Sequence, residues 1–269
     1  MPELPEVETT MRGIAPYVCG QKIRRVIVRE HRLRWPVAKE TAEIQGRMIE
    51  AVSRRGKYIL MQLDRGTLIW HLGMSGSMRI LPTATPPEKH EHIELQLGSG
   101  LALKFRDPRR FGALLYTDMD PLQHRLLCQL GPEPLSQDFD ADYLYTACKH
   151  KTAAIKSVIM DSRIVTGVGN IYACESLFSA GIKPTRKAGR ISKNRLAILI
   201  EAIRDTLRAA IRHGGTTLQD FTQVDGNPGY FRHSLQVYGV KEPCSACGTA
   251  IRQVVQGQRS SYFCPKCQT

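Results

Sequence analysis

Four cysteines near the C-terminus have the spacing of a metal site. Two residues separate Cys244 from Cys247 and Cys264 from Cys267, and sixteen residues lie between the pairs. Two intervening residues let one tight turn aim both thiolates at the same ion, and two such turns complete a tetrahedron around zinc. We therefore expect one structural Zn²⁺ per chain, held in a small finger. Because four cysteine ligands leave no open coordination position, we do not expect this metal to catalyse a reaction.

The first residues after Met1 could supply a nucleophile. Pro2 is a small residue after the initiator methionine, and we expect Met1 to be removed, which leaves Pro2 with a free secondary amine. An α-amino group titrates near ~7.7 to 8, so a useful fraction is neutral and nucleophilic at physiological pH. Glu3 beside it could donate or accept a proton. Acidic residues at a helix start also favour the helix dipole, which suffices to explain Glu6 and Glu8 and leaves both interpretations open.

The charge of the chain indicates a polyanionic partner. Lys and Arg outnumber Asp and Glu by 38 to 25, which gives a formal net charge of +13, a balance typical of nucleic-acid-binding proteins. No apolar run approaches the roughly 18 residues of a membrane helix, and the acidic N-terminus does not resemble a secretory signal. We expect a cytoplasmic protein without a membrane span. The other cysteines lack a pattern and are predicted to be small buried residues: Cys19, Cys128, Cys148 and Cys174.

The elements that must position these residues are strand-like in the first part of the chain and helical in the second. Apolar residues at helical spacing predict a helix before Gly20. Eight short strand-like runs then extend to about Thr117 and predict an antiparallel sandwich or barrel: IRRVIVR, MIEAVSRR, YILMQL, TLIWHL, SMRIL, HIELQL, LALKFR and GALLYT. We expect an N-terminal domain over residues 1–118 and a Pro-, Asp- and Gly-rich linker over 119–134.

Helical periodicity follows the linker. Helices are predicted near ADYLYTAC, AAIKSVIMD and IYACESLFSAG, and a long one runs from Asn194 to His213. In the long helix one stripe is apolar and is predicted to be core: Leu196, Leu199, Ile203, Leu207 and Ala210. The turn-rich run GGTTLQDFTQVDGNPGYF suits a functional loop. We expect a helical domain over residues 135–230 and the zinc finger over 235–269.

Eight motifs, in order along nearly the whole chain, resemble those of the formamidopyrimidine-DNA glycosylases: MPELPEVET, RRGKYIL, HLGMSGSMRI, KHEHIEL, DPRRFGA, GVGNIYACESLF, GGTTL and the four-cysteine finger. So many separate matches make a chance resemblance very improbable. These bacterial enzymes excise 8-oxoguanine and ring-opened purines from DNA. The resemblance implies a bilobal α+β fold: an N-terminal antiparallel β-sandwich begun by a helix, then a helical domain with a helix-two-turns-helix element and a β-hairpin zinc finger.

The resemblance also implies roles for the candidate catalytic residues. The amine of Pro2 attacks C1′ of the damaged nucleotide, the base leaves, and the resulting imine activates the sugar so that the strand is cut on both sides by β,δ-elimination. Glu3 is implied as the acid that assists sugar ring opening, and Lys57 as the proton donor in β-elimination. Arg259 matches the finger arginine assigned to δ-elimination or to a phosphate contact. Phosphate contact is the safer physical interpretation, because an arginine does not readily lose a proton.

A damaged base must leave the stack before a nucleophile can reach its sugar, and the space it leaves must be filled. By the resemblance, Met74 and Phe111 intercalate there, and Arg109 donates to the pairing edge of the orphaned cytosine. Residues at the DNA backbone are implied to be His90, Arg109, His150, Lys151 and Asn170, with Lys149 an alternative within its basic run. GGTTLQDF matches a loop that covers the lesion. Taken alone, residues such as Met74 and Phe111 are more often core, although neighbouring glycines mark turns that favour exposure, and Asn170 could be a helix N-cap as well as a phosphate contact.

The expected partner is double-stranded DNA that contains oxidised purines or abasic sites, bound by a monomer without an obligate protein partner. One alternative is an endonuclease VIII-type glycosylase, which prefers oxidised pyrimidines; Leu4 with the Met74, Arg109 and Phe111 set favours the purine enzyme. The other is a non-enzymatic zinc-finger DNA-binding protein, which would need neither Pro2 nor Lys57.

Overall fold

The computed structural model describes residues 2–216 and 230–269, without the side chains of Lys39 and Ala42. The chain divides into two compact units. We call residues 1–128 with 213–230 the N-terminal unit, and residues 129–212 with 231–269 the C-terminal unit. Among the described helices, none is long and apolar enough to cross a membrane.

The N-terminal unit begins with helix α1, Leu4–Val18. Glu3 is its N-cap, and Glu3 with Glu6 forms a capping box, in which each side chain accepts a hydrogen bond from the backbone of the other residue. The helix buries an apolar face that includes Leu4, Ile14 and Val18. The predicted N-terminal helix is therefore confirmed.

The described part of this unit continues with eight strands: β1 (Ile23–Val28), β2 (Ile49–Arg55), β3 (Tyr58–Leu63), β4 (Thr67–His71), β5 (Ser77–Pro82), β6 (Glu91–Leu97), β7 (Leu101–Arg106) and β8 (Ala113–Thr117). They form two four-stranded antiparallel sheets with the orders β1-β6-β7-β5 and β2-β3-β4-β8. Trp70 of β4 meets Phe105 of β7 edge to face, with ring centroids 5.5 Å apart, in one core that draws on both sheets and α1. The predicted antiparallel sandwich is confirmed.

The C-terminal unit is helical and ends in a hairpin. Its helices are α2 (Ala141–Cys148), α3 (Ile155–Ile159), α4 (Asn170–Ser179) and α5 (Lys193–Arg212), and its strands are β9 (Arg252–Gln256) and β10 (Arg259–Phe263). Helix α5 packs against α2 and α4. The stripe on α5 that was predicted to be core is buried in full, as the 3.6-residue period requires.

The cysteines outside the metal spacing differ in environment. Cys148 and Cys174 are buried and Cys19 is half-buried, but Cys128 is exposed. The prediction that all four are buried is therefore wrong for Cys128. In its turn-rich segment the neighbouring Leu127 is the buried residue, whereas Met119 and Leu122 lie at the surface like Cys128.

Arg204 fastens the segment before α2 to helix α5. Its guanidinium donates to the carbonyl oxygens of Pro134 (3.3 Å), Ser136 (2.9 Å) and Phe139 (2.9 Å). A planar fork with five N–H donors suits this task, because one side chain can satisfy several carbonyls of an irregular segment.

We expect Arg204→Met to destabilise the C-terminal unit by about 2 kcal/mol, because three carbonyl oxygens lose their donor. Differential scanning calorimetry measures the change. The matched control is Arg208→Met on the same helix, where the half-exposed side chain pairs with Asp205 at 3.5 Å. Equal shifts in the two variants would contradict the role assigned to Arg204.

Candidate active site

The second residue of the chain is held in a buried place. Pro2, Glu3 and Glu6 are all buried, the two glutamates at 2% exposure. The backbone N–H of Glu3 donates to Oε2 of Glu6 over 2.8 Å. This bond fixes the peptide unit next to Pro2, so the candidate nucleophile and the candidate acid enter helix α1 with a defined direction.

The other carboxylate oxygen of Glu6 holds a distant part of the same unit. Its Oε1 accepts from the backbone N–H of Thr216 over 2.7 Å. Gly215 has φ +84°, and a Cβ there would lie 3.0 Å from Glu6 Oε1, so glycine permits this approach. Thr216 also pairs with Tyr230. Of the expected lesion-covering loop GGTTLQDF, residues 217–221 lie outside the described residues.

Lys57 occupies the two-residue turn between β2 and β3, after Gly56 with φ +57°. Glu8 of α1 accepts from Arg54 Nε over 2.7 Å, and Arg54 Nη1 donates to the carbonyl of Gly56 over 2.8 Å. Burial alone would raise the pKa of Glu8, but hydrogen bonds and charges from Arg54 and Arg12 outweigh it and lower this pKa. The pair thus links the helix that begins at Pro2 and Glu3 to the turn that carries Lys57.

The structure brings Met74, Arg109 and Phe111 together on two adjoining loops. The guanidinium of Arg109 lies over the Phe111 ring, 5.1 Å from its centroid. Met74 is 36% and Phe111 45% exposed, which places them at the surface rather than in the core. A Cβ on Gly73 would lie 2.3 Å from the Phe111 carbonyl carbon, so only glycine permits this approach of the loops.

A neutral histidine supports the Met74 loop from within. His71 Nδ1 accepts from the backbone N–H of Gly73 over 3.0 Å. Burial, with the charges of Arg34 and Lys57, lowers the pKa of His71 to about 4. The imidazole is therefore uncharged at neutral pH with its proton on Nε2. A cleft of about 480 Å³ opens beside it, lined by Leu33, Arg34, His71, Gly73, Met74, Arg110 and Phe111.

His90 lies in a basic part of the same unit. Its backbone has φ +71°, and its carbonyl accepts from the N–H of Asp107 over 2.9 Å. Loss of solvation lowers the pKa of His90, and the charges of Lys89 and Arg106 lower it further. This concentration of positive charge suits an anionic ligand such as a phosphate.

The four finger cysteines converge as the sequence predicts. Their Sγ atoms all lie within 4.8 Å of one another, with 3.9 Å between Cys244 and Cys267 and 3.5 Å between Cys247 and Cys264. A tetrahedron with Zn–S bonds of about 2.3 Å has sulfurs about 3.8 Å apart. Hydrogen bonds with Thr249 lower the pKa of Cys247, which favours the thiolate that binds metal, whereas the neighbouring thiols raise the pKa of Cys267. The donor set therefore fits one structural zinc ion.

The helical part of the C-terminal unit holds the finger at strand β10. Lys156, 2% exposed, donates from Nζ to Ser261 Oγ (2.6 Å) and to the carbonyl of Ser260 (3.1 Å). Asn170 Nδ2 donates to the same Ser260 carbonyl over 3.0 Å. These bonds fix the residue next to Arg259, which is exposed at the start of β10, directly after the turn at residues 257–258.

The N-cap interpretation of Asn170 is wrong. Gly169 is the N-cap of α4 and Asn170 is the first helical residue, so its amide is free to reach the finger instead. His150 and Lys151 are exposed directly after α2, and His150 has φ +62°. Gly189 packs against their backbone, since a Cβ there would lie 3.0 Å from the Lys151 carbonyl oxygen.

Comparison with known proteins matches all three parts of the chain to one family. Residues 1–114 match the formamidopyrimidine-DNA glycosylase N-terminal domain, residues 130–222 its H2TH domain, and residues 241–269 the zinc finger found in FPG and IleRS. The formamidopyrimidine-DNA glycosylase of Photobacterium profundum is 53% identical over 269 residues, with 100% of both chains covered. The chain belongs to the formamidopyrimidine-DNA glycosylase family.

Solved structures of this family have the same fold. The MutM (Fpg) protein of Thermus thermophilus is 40% identical with a TM-score of 0.89, over 99% of this chain and 98% of that one. A variant of Lactococcus lactis Fpg in complex with DNA that contains Fapy-dG is 32% identical with a TM-score of 0.93, over 100% of both chains. These matches confirm the expected α+β fold of the glycosylase family.

Sequence reasoning missed four residues that support the site: Glu6, Arg54, Asp107 and Lys156. The role of Glu6 could have been predicted from the sequence, because a glutamate three residues after an N-cap predicts a capping box. The sequence gives a weaker indication for Lys156, which is a cation inside the otherwise apolar helical turn IKSVI. The partners of Arg54 and Asp107 depend on contacts between elements, which no local pattern encodes.

The low pKa of His71 predicts a pH dependence of stability. The folded-state pKa of about 4 lies below the unfolded value near ~6.5, so the unfolded chain binds more protons between these values. We expect stability to fall as pH falls from ~6.5 towards 4, by at most about 3 kcal/mol. Melting temperatures of the wild type and His71→Gln across this range measure the effect. Parallel curves would contradict the assignment, since the variant lacks the titrating group.

Proposed function

We propose that this chain is a bifunctional DNA glycosylase and abasic-site lyase of base excision repair that removes oxidised purines, 8-oxoguanine and formamidopyrimidines, from double-stranded DNA. The observation that carries the proposal is membership of the family over the whole chain, with 53% identity to a named formamidopyrimidine-DNA glycosylase. The solved relative with Fapy-dG DNA supports the lesion class. We further propose a monomer that acts in the bacterial cytoplasm.

In the proposed reaction the neutral amine of Pro2 forms a bond to C1′ of the damaged nucleotide while the bond from C1′ to the base breaks. The N–H proton of Pro2 leaves with the departing base, Glu3 gives a proton to the ring oxygen as the sugar opens, and the product is an iminium ion, a protonated imine, between Pro2 and C1′. Lys57 serves as proton donor in the β-elimination that follows. The buried placement of Pro2 and Glu3 and the link through Glu8 and Arg54 support these roles.

The proposed DNA contacts fall in both units. In the N-terminal unit, Met74 and Phe111 fill the space left by the everted nucleotide, Arg109 donates to the orphaned cytosine, and His90 contacts the backbone. In the C-terminal unit we propose phosphate contacts at His150, Lys151, Asn170 and Arg259. We propose residues 1–118 as the catalytic domain, residues 135–230 as the helical DNA-binding domain after a linker at 119–134, and residues 235–269 as the finger.

Borohydride trapping tests the nucleophile. We expect the processed protein to form a covalent adduct on a duplex with 8-oxoguanine opposite cytosine, and a chain with an uncleaved residue before Pro2 to form none, because an amide nitrogen is not nucleophilic. Pro2→Gly should reduce trapping at least about tenfold. Lys57→Ala is the matched variant, which should keep the adduct and slow strand cleavage.

An undiminished adduct in the blocked chain would exclude Pro2 as the nucleophile, and no adduct with the wild type would exclude the proposed mechanism. A parallel duplex with oxidised thymine separates the purine enzyme from the endonuclease VIII-type alternative. Faster excision of the thymine lesion would favour that alternative. A non-enzymatic DNA-binding protein would process neither duplex.

Zinc removal tests whether the metal supports DNA binding without taking part in the attack by Pro2. We expect a chelator to release one zinc per chain and to weaken binding to a duplex with an abasic-site analogue at least about tenfold, because a four-cysteine hairpin does not fold without metal. Trapping at saturating DNA should persist, since no metal is needed for the amine to attack. Fluorescence anisotropy measures the affinity. Full affinity without zinc would refute this role of the finger.

A further inference from the structure

One buried residue joins the two loops that carry Met74, Arg109 and Phe111. Asp107 is 0% exposed. Its Oδ1 accepts from Ser75 Oγ over 2.6 Å, and its Oδ2 accepts from the backbone N–H of Gly112 over 2.7 Å. One carboxylate therefore binds the residue that follows Met74 and the residue that follows Phe111.

Ser75 completes the connection from the other side. It is 2% exposed, and its Oγ, while donating to Asp107, accepts from the backbone N–H of Arg109 over 3.1 Å. A hydroxyl can donate once and still accept, so this side chain serves both loops at once. The chain Arg109, Ser75, Asp107, Gly112 passes through both loops; we call it the loop bridge.

The backbone of Asp107 anchors the loop bridge to the sheet. Its N–H donates to the carbonyl of His90 over 2.9 Å. Its carbonyl accepts from His92 Nε2 over 2.8 Å and from the N–H of Arg110 over 3.2 Å. Every hydrogen-bonding group of Asp107 is thus engaged, and the loops are fixed to the start of β6.

The exposed residues have less support of their own. Met74, Arg109 and Phe111 project from these loops into solvent, and Arg109 and Phe111 contact each other. Insertion into a duplex requires the three side chains to enter together, and a misplacement of about 1 Å at such a site can cost on the order of 100-fold in rate. Their relative positions therefore depend on the buried bonds beneath them.

We propose that Asp107 and Ser75 are positioning residues that hold the two loops in register, so that Met74, Arg109 and Phe111 enter DNA as one rigid wedge. The inference rests on the proposed function. Neither residue touches the reacting atoms; each acts through the loop that it holds.

The test compares Ser75→Ala with Ser176→Ala. Ser176 is equally buried, and its hydroxyl has no hydrogen-bond partner within the described chain, so the control loses a buried hydroxyl but no bridge. We expect Ser75→Ala to slow single-turnover excision of 8-oxoguanine from duplex DNA about tenfold and to lower the ratio of excision opposite cytosine to excision opposite adenine about fivefold. The control should match the wild type in both.

Two further measurements separate positioning from general damage. A 2-aminopurine beside an abasic-site analogue in a duplex should fluoresce less with Ser75→Ala, because the wedge unstacks it less completely. Cleavage of a single-stranded abasic oligonucleotide needs no wedge and should be unchanged. Asp107→Ala, which removes the acceptors of both Ser75 and Gly112, should lose about 100-fold in duplex excision; if it fails to fold, Ser75→Ala alone decides.

A wild-type excision rate, opposite-base ratio and 2-aminopurine signal in Ser75→Ala would overturn the inference. So would an equal loss on duplex and single-stranded DNA, which would indicate general damage. If the wild type unstacks 2-aminopurine but excises nothing, the proposed function fails, and the 2-aminopurine difference between the two serine variants then decides the inference by itself.

Discussion

The carboxylate of Glu6 connects the start of helix α1 to Thr216, and the arrangement of the candidate site in the N-terminal unit depends on this connection. The proposed nucleophile, Pro2, lies near a chain terminus, where polypeptides are least ordered, so it needs a group that holds it in place. Glu6 does this with Oε2 on the N–H of Glu3 and Oε1 on the N–H of Thr216. Both donors are backbone groups, so the arrangement does not depend on the side chains of those residues. The hydroxyl of Thr10, which donates to the Glu6 carbonyl over 2.9 Å, steadies the same turn.

A common principle relates the several parts of the candidate site. The groups proposed to meet DNA are exposed or terminal, and each is held by a polar residue that is buried or half-buried: Glu6 holds Pro2 and Glu3, Arg54 holds Lys57, Asp107 holds Arg109 and Phe111, and Lys156 holds Arg259. A buried charge is costly unless all its bonds are made, and once they are made it resists displacement. Rigid support beneath exposed residues suits a protein that must distort its partner.

Patterns that repeat along the chain were readable from the sequence. The eight strands, helix α1, the stripe of α5 and the four-cysteine cluster follow from periodicity, turn residues and ligand spacing. The contacts that the sequence did not predict are single hydrogen bonds between residues far apart in the chain. Lys156 bonds to Ser261, 105 residues away, and Ser75 bonds to Asp107, 32 residues away. One hydrogen bond between distant residues leaves no periodic trace. The N-cap prediction for Asn170 failed for the same reason. Its local sequence suits a helix cap, but its amide bonds to strand β10, 90 residues away.

The anchoring of the finger bears on how such modules are reused. Residues 241–269 match a finger described as occurring in both FPG and IleRS, yet Lys156, Asn170 and the Ile182 carbonyl, which accepts from Gln268 over 2.8 Å, lie outside it. The four-cysteine metal site determines the fold of the finger, whereas the helical part of the C-terminal unit determines its orientation. A finger without these three partners would lose the hydrogen bonds that orient strand β10 and the C-terminal cysteine pair. The direction of the finger is therefore a property of the helices that it contacts, and a change in Lys156 or Asn170 would reorient Arg259 without altering a single metal ligand.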